Sequence, residues 1–255
     1  MTAIEAAAAP ARRLVWLIAS VRDITVETPR VKSITLNVRG WRGHRPGQHV
    51  DIRLTAADGY QAQRSYSIAS PPDGELLALT VERLENGEVS PYLDDELRIG
   101  DQFELRGPIG GYFVWTGGGP LCLIAGGSGI APLMAMLRHR ERHEDRTPAT
   151  LIYSSRSVDD IIYRNELDAM GKRDGSLRVL HTLTRQQPDG WTGHRGRVDR
   201  ALLADACYSP AQSPKIFVCG PTPFVEDVAR FLVELGHEAC AIKTERFGPS
   251  GGSPS

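Results

Sequence analysis

The chain has 255 residues, 41% of them apolar and 24% charged, with a formal net charge of −1. At roughly 100–200 residues per domain, this length predicts two compact domains or one large one, with a core that needs no disulfide staples. The balanced charge excludes a nucleic-acid partner, and the lack of a secretory or long apolar run predicts a cytoplasmic protein with no membrane partner.

Residues up to about Ala11 read as a loose tail. Short segments rich in β-formers follow at Val15–Ile18, Val31–Val38, His49–Leu54, Tyr66–Ala69, Leu76–Val81 and Phe103–Leu105, punctuated by Gly, Pro and Asp. Evenly spaced short strands with turn signals predict a small barrel or sandwich. A brief helix fits Ser90–Glu96, with Ser90 as its cap and Pro91 in its first position. Thr116-Gly117-Gly118-Gly119-Pro120 is a linker signal, which sets the halves at residues 13–115 and 120–245, with a tail at 246–255.

Beyond the linker the rhythm changes. Leu121–Ala125 is a continuous apolar run, as in a strand buried on both faces. Helices are predicted near 131–142, 163–170, 198–204 and 222–235. Strands are predicted at 150–153, 177–183, 215–219 and 241–244. Strand–helix alternation predicts a doubly wound, parallel, five-stranded sheet. The mixed-sign run Arg138–Arg146 reads as a solvated helix end.

Cys122, Cys207, Cys219 and Cys240 show neither C-x-x-C nor ferredoxin spacing, so no metal or iron–sulfur site is expected. The chemistry sits elsewhere. Gly126-Gly127-Ser128-Gly129-Ile130-Ala131-Pro132 follows the first buried strand and opens a helix. Glycines there allow a tight turn and close approach to a pyrophosphate, and the helix start offers free N–H groups. Pro132 suits a first helical turn. The second strand runs into Ser154-Ser155-Arg156 instead of the acid that holds ribose hydroxyls in NAD-preferring domains. Ser155, Arg156, Arg164, Thr184, Arg185 and Arg197 are therefore coenzyme candidates. The arginine favours NADPH, with NADH as the other possibility, since Asp159 and Asp160 are close by in sequence.

Six motifs occur in order: Arg64-Ser65-Tyr66-Ser67, Gly87-Glu88-Val89-Ser90, Arg106-Gly107-Pro108-Ile109-Gly110, the glycine loop, Cys219-Gly220-Pro221-Thr222 and Glu245-Arg246-Phe247-Gly248. Together they resemble the ferredoxin–NADP reductase superfamily, in particular the two-domain core of oxygenase reductase components and stand-alone ferredoxin reductases. The resemblance implies a six-stranded antiparallel Greek-key barrel that binds FAD (FMN being possible) ahead of the nucleotide domain. It implies that Arg64 binds a flavin phosphate, Tyr66 lies on the isoalloxazine ring and Ser67 hydrogen-bonds near its N5. Gly87, Glu88, Val89 and Ser90 would line the diphosphate. Cys219, with Gly220 and Pro221, would sit beside the nicotinamide, and Glu245 and Phe247 would return across the flavin. Eight residues follow Phe247 here, unlike members that end on the aromatic, so whether Phe247 or the tail covers the ring stays open. The implied reaction moves hydride from NAD(P)H to flavin, then single electrons to a separate ferredoxin or oxygenase component. A reductase of free flavins and a non-catalytic redox- or nucleotide-sensing module are the alternative readings.

Overall fold

A computed structural model describes residues 14–247; the expected N-terminal tail and residues 248–255 lie outside them. In the first half, strands β1 (Leu17–Thr28), β2 (Val31–Val38), β3 (His49–Thr55), β4 (Gln61–Ser67), β5 (Leu77–Glu82) and β6 (Gln102–Ile109) pair antiparallel in the order β4-β3-β6-β1-β2-β5. A bridge from Ile68 to Leu79 joins the outer strands and closes the sheet on itself. Alternate side chains point inward, and Ile34, Leu36, Ile52, Leu79 and Leu105 are fully buried there. β1 is three times longer than its apolar start suggests, running 12 residues. Asp23 and Thr25 lie on its exposed side, and two register shifts against β2 bend the extension around the barrel.

The second half is a parallel sheet of β7 (Leu121–Gly126), β8 (Ala149–Ser155), β9 (Leu177–Leu183), β10 (His194–Arg195), β11 (Lys215–Pro221) and β12 (Ile242–Phe247), ordered β10-β9-β8-β7-β11-β12. The five expected strands are present. The sixth, β10, is two exposed polar residues on the edge, with no hydrophobic pattern to announce it. Helices α1 (Ile130–Arg142), α2 (Arg164–Arg173), α3 (Arg200–Ala206) and α4 (Thr222–Glu234) connect the strands. Every residue of β7 and β8 is buried, as a strand covered on both faces requires. No described helix is long and apolar enough to cross a membrane.

Two local expectations are corrected, and one pairing in space is new. Ser90 does not cap its helix: its Oγ accepts the Leu84 N–H at 3.1 Å, and the helix is a single π turn, Tyr92–Glu96. The charged run after α1 is not wholly solvated. Arg140 is 2% exposed, donates to the Thr147 carbonyl and pairs with Asp174, while Arg138 grips Glu166 at 2.6 Å. Arginine stems tolerate burial when the guanidinium fork is fully engaged. Finally, Cys122 and Cys207 are neighbours in space, with sulfurs 2.6 Å apart, although 85 positions separate them.

The two halves share one seam. Val31, Ala69, Phe113 and Trp115 join the core beneath α1, and Phe113 meets Phe217 edge-on at 5.3 Å. Tyr163, at the start of α2, adopts a left-handed backbone (φ 60°). Its hydroxyl bonds to Ser33 and Thr80 of the barrel, and its N–H donates to Glu27 at 3.3 Å. Arg138 donates to the Ala69 carbonyl at 2.8 Å, and Lys243 to the Val114 carbonyl at 2.8 Å.

Candidate functional site

β4 presents Arg64, Ser65, Tyr66 and Ser67 along one strand, so neighbouring side chains alternate between its two faces. Arg64 is exposed and pairs with Glu88 at 2.6 Å; Tyr60 donates its hydroxyl to the same carboxylate at 2.6 Å. These contacts join β4 to the Gly87–Ser90 turn, two segments the sequence proposes for one phosphate site. Ser65 instead donates to Asp51 at 2.6 Å, and Asp51 also holds Arg106 at 2.9 Å. Asp51 is a buried carboxylate between Val50 and Ile52 of β3, a polar signal the motif search passed over. Tyr66 packs on the barrel core, and burial pushes its phenol pKa up. Ser67 is 4% exposed, and its Oγ has no hydrogen-bond partner. A buried hydroxyl left unpaired costs about 1–3 kcal/mol, so this atom fits a ligand acceptor or donor such as a flavin ring edge. The exposed guanidinium of Arg64 and the turn at Gly87–Ser90 fit the anionic part of the same group.

β7 delivers the glycine loop. Gly127–Gly129 forms a tight turn that runs straight into α1 at Ile130 with no side-chain cap; the Ile130 N–H is engaged by the turn's own carbonyls, so the amino end open to a ligand is that of the turn. The glycines have different jobs. A Cβ on Gly129 would lie 2.2 Å from the Cys219 carbonyl oxygen, and one on Gly126 would lie 3.0 Å from the Phe224 ring. Gly129 thus lets the turn close on β11, and Gly126 lets Phe224 of α4 pack on the end of β7. Gly127 has φ +55° and open space beside it, so its turn faces outward. Ser128 donates to Glu82 at 2.7 Å and ties the loop to the end of β5 in the barrel. Pro132 is buried in the first turn of α1.

The carboxyl ends of β8 and β9 bring Ser155, Arg156, Thr184 and Arg185 together. The N–H of Thr184 donates to the Ser155 carbonyl and that of Arg185 to the Arg156 carbonyl, both at 2.9 Å. Arg156 is exposed, and among the described residues its side chain makes no ion pair. Ser155 is 5% exposed with an unpartnered Oγ. Asp160 is engaged by the Ser157 hydroxyl at 2.6 Å. Arg164 begins α2 and Arg197 follows β10; both are exposed and outside this hydrogen-bonded group.

Cys219 lies in the buried part of β11, next to Gly220 near its carboxyl end, and pairs in register with Glu245 of β12. Burial, reinforced by the Glu245 charge, pushes the Cys219 thiol up, so it is a neutral thiol at physiological pH and no nucleophile. Glu245 carries an unpartnered buried Oε2, and burial pushes its carboxyl up to about 7. Arg246 and Phe247 belong to β12 rather than to a tail: Phe247 pairs with Pro221 and packs on the shared core. A cavity of about 430 Å³ lies elsewhere, at the amino ends of β11 and β12 among Trp115, Lys215, Phe217, His237 and Lys243. Ligands of parallel sheets bind at the carboxyl ends, so the loops just described, and not that cavity, form the candidate site.

Known proteins agree with this geometry. Residues 22–114 match the oxidoreductase FAD-binding domain family, and residues 123–230 match the oxidoreductase NAD-binding domain family. The chain is 34% identical over 203 residues to NADH-cytochrome b5 reductase 1 of Aspergillus oryzae, covering 75% of this chain and 68% of that protein. It is 31% identical over 210 residues to the glycine betaine monooxygenase reductase subunit of Pseudomonas aeruginosa, covering 81% of this chain but 57% of that protein. It thus spans little more than half of that subunit. The FAD/NAD-binding domain of nitric oxide dioxygenase from Vibrio cholerae superposes with a TM-score of 0.82 at 25% identity, covering 91% of this chain and 99% of that one. The chain therefore belongs to the ferredoxin–NADP reductase-like family of two-domain, FAD- and NAD(P)-binding oxidoreductases.

Proposed function

We propose that the protein oxidises NADPH with bound FAD and delivers single electrons to a separate ferredoxin or oxygenase component. The observation that carries the reading is the glycine turn at the domain seam. Gly129 seats it on the Cys219 carbonyl, and Ser128 ties it to the barrel strand ending in Glu82. A nucleotide on that turn would lie beside the end of the barrel strand that carries Glu82.

Arg64 and the Gly87–Ser90 turn would hold the flavin's diphosphate, with Arg64 exchanging Glu88 for a phosphate. Ser67 Oγ would take the ring edge, and Tyr66 would lie against the ring. FAD supplies the chemistry there, accepting hydride from reduced nicotinamide and releasing electrons one at a time. The chain's own task is alignment. Cys219 provides a neutral, compact wall beside the nicotinamide, and Glu245 holds a proton or a charge at one buried atom. Alignment alone accounts for much of such an acceleration.

For the coenzyme, the exposed Arg156 and Arg185 support a 2′-phosphate. A charge-assisted hydrogen bond to phosphate is worth about 1.5–3 kcal/mol, enough for tenfold or greater preference. The NADH in the name of the Aspergillus relative is the competing outcome. The purified protein should be yellow, release FAD on denaturation and bleach anaerobically with NADPH. A colourless protein that turns over free flavin would replace this reading with the free-flavin reductase. Arg156→Ala should raise the KM for NADPH about tenfold more than that for NADH; equal effects would remove Arg156 from phosphate recognition.

A further inference from the structure

Away from the reductase site, α1 carries a feature that electron transfer does not use. His139 lies in its last turn and His143 follows its end, four positions apart, which sets both imidazoles on one face. Their ring centroids are 4.3 Å apart. The turn between β4 and β5 brings Asp73 from the barrel to meet them. Its Oδ2 lies 2.7 Å from His143 Nε2 and 3.6 Å from His139 Nδ1. One ligating atom from each of the three residues falls within 4.8 Å of the others.

We propose that Asp73, His139 and His143 form a binding site for a divalent transition-metal ion that spans the domain seam. The donor set is chemically specific. Two imidazoles and a carboxylate suit Zn²⁺, Ni²⁺ or Cu²⁺, and not Mg²⁺ or Ca²⁺, which take oxygen ligands. At metal–ligand bonds of about 2.0–2.1 Å, tetrahedral ligand atoms stand roughly 3.3 Å apart. The two Asp73 separations bracket that value, so small rotations complete the geometry. His139 is pre-oriented by edge-on packing against Trp115, and its Nδ1 is buried with no hydrogen bond. His44 stands behind the group with its Nε2 engaged by the Ser70 carbonyl at 3.0 Å. Solvent supplies the remaining ligand, because His143 and Asp73 are about half exposed. The ion would pin the barrel turn to α1, so its expected effect is on stability rather than on hydride transfer.

The test uses untagged, chelator-treated holoprotein titrated with Zn²⁺ by calorimetry and with Co²⁺ by difference absorbance. One equivalent should bind, with no thiolate charge-transfer band, and Zn²⁺ should raise the melting temperature. His143→Ala and Asp73→Asn alter exposed side chains. Each should weaken binding about tenfold or more and abolish the thermal shift, with the metal-free melting temperature unchanged. Zn²⁺ should also protect His139 and His143 of the wild type from carbethoxylation, a readout that needs no substitution. Absence of stoichiometric binding, a thiolate band, unchanged affinity in both variants or absence of histidine protection would each overturn the site.

Discussion

Ser67 and Glu245 each end a chain segment with a buried polar atom that the protein itself leaves unsatisfied. Ser67→Ala removes a hydroxyl that bonds to nothing in the fold, so a urea melt should move by less than about 1 kcal/mol. NADPH oxidation with ferricyanide should nonetheless fall about 10–100-fold, since a positioned donor at the reacting ring is lost. Unchanged turnover would separate Ser67 from the chemistry. For Glu245 the folded carboxyl is raised from an ordinary 4.5 to about 7. Folding therefore binds a proton that the unfolded chain releases earlier. The stability this contributes is present below about pH 4.5 and is lost as pH rises through 7. With Glu245 partly exposed, about 1–2 kcal/mol is at stake. Urea midpoints of wild type and Glu245→Gln should therefore diverge between pH 5 and 8 in the variant's favour, whereas parallel curves would mean an ordinary carboxyl.

Among the elements, the β7–turn–α1 unit is the most constrained. A methyl at Gly129 meets main-chain atoms, at 2.2 Å from the Cys219 carbonyl oxygen, and no side chain can rotate away to relieve it. Gly129→Ala should cost about 2–4 kcal/mol and weaken coenzyme binding, measured by thermal melting and by nucleotide titration. Gly127→Ala meets no neighbour, so it should cost only the left-handed backbone, about 1 kcal/mol. The sequence shows three glycines in this loop as equals; only tertiary packing separates them. Element type, by contrast, was legible, because apolar periodicity controls it: the Leu121–Ala125 run and the later strand–helix alternation correspond to real elements. What escaped depended on partners distant in the chain. Ser90 bonds backward to Leu84, Arg140 is buried because Asp174 waits for it, and the edge strand His194–Arg195 exists only through its pairing with β9. At the site, the motifs located Ser67, Cys219 and Glu245, whereas the roles of Glu82 and Asp51 as anchors required the fold.

On the scale of the whole molecule, the seam combines the apolar contacts of Phe113 and Trp115 with hydrogen bonds at several points. The Tyr163 hydroxyl satisfies both Ser33 and Thr80 across it. Tyr163→Phe should leave the Thr80 hydroxyl unpaired, while Ser33 keeps its bond to Glu27, and destabilise the protein by about 1–3 kcal/mol in denaturant titrations. If the halves unfold together, the whole transition should shift; a split into two transitions would show that the seam couples them weakly. Phe113 and Trp115 carry a further consequence. They follow the barrel's last strand in sequence, yet their side chains complete the interior beneath α1. The hydrophobic centre beneath α1 is thus finished only by residues from both halves. A fragment cut after Trp115 would present two bare aromatic rings to water and invite self-association, while the complementary fragment would have a hollow where they belong. Shuffling these modules between relatives thus means transplanting the aromatic pair together with the lobe it fills.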